Sequence, residues 1–143
     1  MTYFSDIGSF VLPERFDGSF INKTVSLYPN ESYYTLWFSR IVWDPRCYTT
    51  MWLGNKNKLW RSTDDGANFQ AMFTDPDTNA WVEHIEISRS NPDVIYFTDH
   101  NSSARVYRST DGGKHFAALP KPTGVTDGEF RISNIALSES NEN

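Results

Sequence analysis

The sequence predicts an all-β fold of repeated four-stranded antiparallel sheets, and three observations support this prediction. A nine-residue stretch occurs twice, as RSTDDGANF at residues 61–69 (box 1) and as RSTDGGKHF at residues 108–116 (box 2). Around both boxes, short apolar runs alternate with polar turns in the two-residue period of strands, and no segment has the 3.6-residue period of a helix. Aromatic residues make up 15% of the chain, and such side chains suit a half-buried pleated surface.

The two boxes begin 47 residues apart, and the sequence before each box repeats with them. RIVWDPRCYTTMWLG (40–54) precedes box 1, and HIEISRSNPDVIYFT (84–98) precedes box 2. Each stretch predicts a strand, a polar turn that contains proline, and a second strand. Periods of 40–50 residues made of short strands are typical of β-propellers. We therefore predict a β-propeller segment with about two complete blades and partial flanking blades.

Each complete unit is predicted to contain four strands. The first unit has them at about 37–43, 50–53, 58–62 and 68–73, and the second at about 82–88, 94–98, 104–109 and 114–119. A third unit is predicted to begin at ISNIALSESNEN (132–143), because Ile135 and Leu137 match Ile85 and Ile87 of the second unit.

The repeat divides the chain into four predicted parts. Residues 1–36 are a partial preceding blade or an irregular N-terminal extension, 37–80 and 81–130 are the two blades with boxes, and 131–143 are the first strand of a further blade. A propeller typically has four to eight blades, so we expect the ring to be completed by the rest of a longer protein or by another chain.

The boxes resemble a known motif. They share the pattern Ser-x-Asp-x-Gly-x-x-Phe, at Ser62, Asp64, Gly66 and Phe69 and again at Ser109, Asp111, Gly113 and Phe116. This pattern resembles the Asp-box, or bacterial neuraminidase repeat, of sialidases, xyloglucan-cleaving glycosidases and sortilin-type receptors, over about residues 37–143. The Ser and Asp side chains are expected to bond to nearby backbone N–H groups and hold a hairpin turn. Glycine then takes a positive φ, and the aromatic residue packs inward.

Composition argues against several classes of function. The net charge is −5 and no Lys/Arg cluster is present, which argues against nucleic acid. The single cysteine, Cys47, excludes an intrachain disulfide. The three histidines are not spaced as metal ligands, so no metal site is predicted. The glycines lie in predicted turns and not in a phosphate-binding loop, and no cofactor is expected. No stretch has the length of a membrane span. The resemblance implies an extracellular, cell-surface or periplasmic protein whose signal peptide is not visible in this sequence.

A ligand site is predicted at the rim opposite the boxes, which is formed by residues 74–81, 99–103 and 121–130. The candidate catalytic carboxylates there are Asp99, Asp127 and Glu129, and the candidate ligand-binding groups are Trp81, His84 and His100. Each candidate also has a structural interpretation: packing for Trp81, an ordinary strand histidine for His84, and a polar loop around residue 100. Glycoside cleavage needs two carboxyl groups about 5–10 Å apart.

Three functions fit these observations. The leading hypothesis is a secreted propeller segment that serves as a scaffold or as a binding surface for glycan or protein, because no catalytic constellation stands out. The first alternative is part of a xyloglucanase-like glycoside hydrolase whose catalytic carboxylates lie partly outside this chain. The second is the propeller of a sortilin-type receptor. Sialidase activity is not expected, because VLPERF (11–16) does not match the Arg-Ile-Pro stretch of that family.

Overall fold

The computed structural model describes residues 3–4, 9–13, 20–24, 41–100, 104–125, 132 and 134–138, with side chains from residue 41 onward. These residues form three antiparallel sheets. The N-terminal sheet contains β1 (Tyr3–Phe4), β2 (Ser9–Pro13) and β3 (Phe20–Thr24) in sequence order. Sheet 1 contains β4 (Val42–Asp44), β5 (Cys47–Asn55), β6 (Lys58–Ser62) and β7 (Gln70–Thr74). Sheet 2 contains β8 (Trp81–Ile87), β9 (Ile95–His100), β10 (Val106–Ser109) and β11 (Ala117–Ala118).

The predicted all-β class and the two four-stranded antiparallel sheets are confirmed. Within each of these sheets, consecutive strands are neighbours, as alternating strands and tight turns require. The closure of the sheets into a ring and the division of the chain into four parts remain predictions.

The outermost strands begin later than the sequence predicts. β7 begins at Gln70 rather than near residue 68, because the Asn68 N–H donates to Asp64 instead of to a neighbouring strand. β11 is limited to Ala117–Ala118 rather than 114–119, because the N–H groups of Lys114 and His115 donate to Asp111. The boxes therefore use backbone donors that the sheet ladder would otherwise take.

The strand predicted at 131–143 is not formed in its described part. Residues 134–138 form neither a strand nor a turn, and they pair with no strand in the described ranges. Alternating apolar residues such as Ile135 and Leu137 favour a strand only when a neighbouring strand takes up the backbone hydrogen bonds. A further blade that begins in this segment therefore stays a prediction.

The main core lies between sheets 1 and 2. Sheet 1 contributes Trp52 and Leu59, and sheet 2 contributes apolar residues from β8, β9 and β10. An aromatic group closes the outer part of this interface, and its ring centroids are 4.7–6.0 Å apart. Its members are Phe73, Phe97, Tyr107 and Phe116. A second cluster, built on Ile41, Met51 and Leu53, lies on the other face of sheet 1, because Met51 and Leu53 alternate with Trp52 along β5.

The strands β5 and β8 approach each other closely at Gly54. The Val82 N–H donates to the Lys56 carbonyl over 2.7 Å, and a Cβ at Gly54 would lie 2.5 Å from Val82 Cγ1. Real Cβ atoms do not make contacts this short, so a side chain at this position would push the two sheets apart. Glycine at position 54 therefore sets the spacing of the sheets at the rim opposite the boxes.

We expect Gly54→Ala to lower the free energy of unfolding by about 2–3 kcal/mol, because overpacking a tight core contact forces the backbone to shift. Chemical denaturation measures the change. Ala71→Val is the matched control, since it enlarges an exposed side chain on the edge strand β7. If both substitutions had the same small effect, Gly54 would not limit the approach of the sheets.

Candidate functional site

The two boxes form nearly identical hydrogen-bonded turns. In box 1, Ser62 Oγ donates to Asp64 Oδ1 over 2.8 Å and accepts the Gly66 N–H over 2.9 Å. In box 2, Ser109 Oγ makes the same two bonds to Asp111 Oδ1 and from the Gly113 N–H, over 2.8 and 2.9 Å. Because all of these partners lie within a few residues of each other, nine residues are enough to specify the turn.

The carboxylate oxygens of both boxes accept hydrogen bonds within these turns. Asp64 accepts from the backbone and side-chain amides of Asn68, and these bonds, with the one from Ser62, lower the pKa of Asp64 to about 2. The backbone N–H and then the ring of His115 likewise hold the pKa of Asp111 well below its usual range. Both groups are thus ionised acceptors, which suits a structural role and not proton transfer.

The glycine and aromatic residues of the boxes lie where the turn meets the sheets. Gly66 and Gly113 have φ values of 80° and 82°, in the left-handed region that glycine enters without strain. Phe69 packs against the cluster of Ile41, Met51 and Leu53. Phe116 packs between the two sheets, with ring centroids 6.0 Å from Phe73 and 5.1 Å from Phe97.

The candidate catalytic residue Asp99 lies in the interior, between the two sheets. Its exposure is 2%, its Oδ1 accepts the Arg105 N–H, and its side chain lies beside that of Asp75, which is 4% exposed. Tyr107 Oη donates to Asp75 Oδ2 over 2.6 Å. We call Asp75 and Asp99 the buried carboxyl pair.

Burial and the neighbouring carboxylate change the acidity of this group. Desolvation by burial raises the pKa of Asp99 to about 6, and the negative charge of Asp75 adds to this shift. The hydrogen bond from the Arg105 N–H acts in the opposite direction and lowers the pKa. Burial and the bond to Asp75 also raise the pKa of Tyr107. Asp99 Oδ2 is buried without a hydrogen-bond partner in the part of the chain that the structure describes. A proton on this oxygen would let Asp99 donate to Asp75 and complete the network.

Three of the sequence-predicted residues come together at the rim opposite the boxes. Trp81 and His100 stand opposite each other in the register of β8 and β9. The register shifts between Val82 and Ile85, and this bulge leaves both Glu83 and His84 partly exposed. We call Trp81, Glu83, His84 and His100 the rim cluster.

The rim cluster is centred on a carboxylate. Glu83 Oε2 lies 3.8 Å from His100 Nδ1 and 3.9 Å from His84 Nε2. The three side chains are 33–44% exposed, so these contacts contribute little to stability and leave the polar groups available to a ligand. Together with the partly exposed indole of Trp81, the cluster offers a stacking surface and several hydrogen-bonding groups side by side.

The structure separates the predicted site residues into two groups. Val82 and Asp99 are a register pair on the buried face, whereas the neighbouring pair, Trp81 and His100, lies on the other face. Asp127 and Glu129 lie outside the described residues. Sequence reasoning missed Asp75, Tyr107 and Glu83. Asp75 and Glu83 lie in or beside the predicted rim segment, but nothing in the local pattern indicates that one is buried and the other is exposed.

No arrangement of three or more His, Cys, Asp or Glu side chains suited to holding a metal ion occurs among the described residues. Across the same ranges, no helix has the length and apolar character that a membrane span requires.

Comparison with known proteins indicates a relationship with glycoside hydrolases. No family model matches the chain. A xyloglucanase from Paenibacillus sp. is 30% identical over an alignment of 108 residues, which covers 59% of this chain and 10% of the xyloglucanase. The chain thus spans about a tenth of the length of that relative. The sequence similarity supports a glycoside hydrolase-like relationship.

The crystal structure of a GH74 enzyme from Niastella koreensis superposes with a TM-score of 0.67. The match covers 94% of this chain and 21% of that enzyme, at 22% identity. At this identity the similarity shows the fold alone. The two four-stranded sheets are therefore arranged as in part of a GH74 enzyme.

Proposed function

We propose that this chain is part of an extracellular, cell-surface or periplasmic β-propeller glycoside hydrolase that acts on a xyloglucan-type polysaccharide. Within that enzyme, the chain acts as framework and as a surface that binds the polysaccharide, and neither Asp75 nor Asp99 serves as a catalytic carboxyl group. The 30% identity to a xyloglucanase is the observation that carries the choice of substrate. The Asp-box resemblance of the two boxes agrees with this assignment.

The position of the buried carboxyl pair argues against catalysis by these residues. Glycoside cleavage needs an acid and a second carboxylate on either side of a bound sugar. Asp99 and Asp75 are instead enclosed between two sheets and engaged by the Arg105 N–H and the Tyr107 hydroxyl. A polysaccharide chain has no access to them without separation of the sheets. Catalytic roles for Asp127 and Glu129 stay predictions.

The rim cluster has the chemistry of a sugar subsite. The apolar C–H face of a pyranose ring packs on an indole, and its hydroxyls bond to nearby donors and acceptors. Trp81 supplies the indole, and His84, Glu83 and His100 supply polar groups on the same strand and directly across from it. The cluster also lies at the start of β8, where the sequence predicts a site.

We expect Trp81→Ala to raise the KM for xyloglucan about tenfold and to leave kcat nearly unchanged, because one stacking contact contributes about 1–2 kcal/mol to binding. Steady-state kinetics of the protein that carries this chain measure both constants. Tyr48→Ala is the control, since Tyr48 is 61% exposed on β5, near the turn that joins β4 and β5 on the side of the boxes.

The possible outcomes separate the two parts of the proposal. If the unsubstituted protein does not hydrolyse xyloglucan but binds it through Trp81, the non-catalytic binding surface is correct and the enzyme assignment is wrong. If it hydrolyses xyloglucan and Trp81→Ala behaves like Tyr48→Ala, the rim cluster is not a sugar subsite. A loss of kcat at unchanged KM would indicate a role of the rim cluster in the chemical step.

A further inference from the structure

The buried carboxyl pair joins the two chain segments that carry the rim cluster. Trp81 and His100 stand opposite each other in the register of β8 and β9. His100 directly follows Asp99, and Asp75 begins the connection from β7 to β8, which leads to Trp81. Each carboxyl group of the pair therefore belongs to the same short segment as one side chain of the proposed sugar subsite.

A series of hydrogen bonds leads from Asp75 to Trp81. Asp75 Oδ1 accepts the Asp77 N–H over 2.8 Å, and Asp77 Oδ1 accepts the Asn79 N–H over 2.9 Å. The Asp77 carbonyl accepts the Ala80 N–H over 3.0 Å, and Ala80 is buried. Because each of these bonds closes a short turn, the position of Asp75 fixes the course of the backbone up to Trp81.

Asp99 holds the second segment in a similar way. Its N–H donates to the Arg105 carbonyl over 3.1 Å, and its Oδ1 accepts the Arg105 N–H. These two bonds tie the end of β9, where His100 lies, to the residue that precedes β10. Since Asp75 and Asp99 meet between the sheets, the contact between their carboxyl groups connects the segment of Trp81 to the segment of His100.

This contact is favourable when the pair holds a proton. Asp99 Oδ2 has no other partner in the described ranges, and a proton on it can be donated to Asp75, whereas two ionised carboxylates would repel each other. Arg105 and Tyr107 are the other titratable or charged groups of the described residues that face the pair. Burial raises the pKa of Asp99 to about 6, so the contact is present in weakly acidic solution and is lost as the pH rises through about 6.

We propose that the buried carboxyl pair is a proton-dependent clamp that positions the rim cluster, so that this subsite binds polysaccharide tightly in weakly acidic solution and weakly above neutral pH. The inference rests on the proposed function of the rim cluster. Asp75 and Asp99 do not touch the sugar and act through Trp81 and His100, so they are positioning residues. Loss of the proton separates the two segments and moves the indole of Trp81 away from the polar groups beside it.

The contribution of Trp81 to binding, measured at two pH values, tests this inference. The dissociation constant of a xyloglucan oligosaccharide too short to be cleaved is compared between the unsubstituted protein and Trp81→Ala. We expect Trp81→Ala to weaken binding about tenfold at pH 5 and about twofold at pH 8. In an Asp99→Asn background the effect should be about tenfold at both pH values, because the amide can donate to Asp75 at every pH. Asp65→Asn is the matched control and should follow the unsubstituted protein.

The outcomes distinguish failure of the clamp from failure of the subsite. Protonation of His84 and His100 occurs in both backgrounds, so a pH dependence that persists in Asp99→Asn belongs to the histidines. The same pH dependence with and without Asp99→Asn would overturn the inference, and so would a tenfold effect of Trp81→Ala at both pH values in the unsubstituted protein. An effect of Trp81→Ala that is absent at both pH values would instead contradict the sugar subsite, and this inference with it.

Hydrogen exchange gives a second measurement that needs neither ligand nor substitution. After correction for the intrinsic effect of pH on exchange, residues 75–81 should exchange several-fold faster at pH 8 than at pH 5. Residues 62–69 of box 1 should have equal corrected rates, because Asp64, with a pKa of about 2, is ionised at both pH values. Equal corrected rates for residues 75–81 would mean that no proton on the buried carboxyl pair holds this segment.

Discussion

Replacement of Gly113 by alanine is expected to lower the free energy of unfolding by about 3–4 kcal/mol. Two effects contribute, because the side chain would be strained in a left-handed backbone conformation and would collide with a neighbouring residue. Gly113 has a φ of 82°, which disfavours any side chain. The added methyl group would also collide with Trp52 Cη2, at the centre of the interface between sheets 1 and 2. Because Trp52 is surrounded by other core residues, its indole cannot move aside without opening the core.

Gly124→Ala is a matched control for this prediction. Gly124 has a φ of 86°, and a Cβ there would meet no atom within 4 Å, so this substitution adds the backbone strain without the collision. Chemical denaturation should therefore show a clearly smaller loss for Gly124→Ala. In a Trp52→Ala background, Gly113→Ala should have about the same effect as Gly124→Ala. Equal effects of the two glycine substitutions in the unsubstituted protein would mean that Gly113 does not press on Trp52.

The second large effect concerns pH. The pKa of Asp99 is about 6 in the folded protein and 3.8 as its ordinary value, so the folded state binds the proton more tightly than the unfolded state. Folding is therefore most favourable when Asp99 is protonated, and this contribution is lost as the pH rises from about 4 through about 6. The shift corresponds to a loss of about 2–3 kcal/mol between pH 4 and pH 8.

Asp99→Asn is expected to remove this part of the pH dependence and to raise the stability at pH 8. The amide oxygen can still accept the Arg105 N–H, and the amide nitrogen can donate to Asp75 at every pH. Among the described residues, the charged and titratable groups that face Asp99 are Asp75, Arg105 and Tyr107. Thermal denaturation between pH 4 and pH 8 measures the effect, with Asp65→Asn, at a partly exposed turn position, as the control.

Two results would contradict this interpretation of the carboxyl pair. If Asp99→Asn had the same pH profile as the unsubstituted protein, Asp99 would not hold a proton in the folded state. If the substitution preserved stability but abolished hydrolysis of xyloglucan, Asp99 would be a catalytic residue, and the structural role proposed for the pair would be wrong.

Local sequence was sufficient to predict the repeated sheets and their turns. Alternation of apolar and polar residues over four to eight positions predicts a strand, because side chains alternate between the two faces of a sheet. The pattern from Ser62 to Phe69, and its copy from Ser109 to Phe116, predicts a hairpin turn because Ser and Asp reach backbone N–H groups only a few residues away. The same hydrogen bonds explain why β7 and β11 begin later in the chain than the apolar pattern predicts.

Local sequence determined the unit, its turns and its period, because these depend on interactions between residues close together along the chain. Only the packing of sheet 1 against sheet 2 decided that Asp99 is enclosed beside Asp75 and that Gly113 lies on Trp52, since these partners come from different units. The exposure of Glu83 and His84 was likewise decided by the bulge in β8, which appears only when β8 pairs with β9. Burial and charge proximity arise between distant segments, and the residue types alone do not encode which carboxylate meets solvent and which meets another carboxylate.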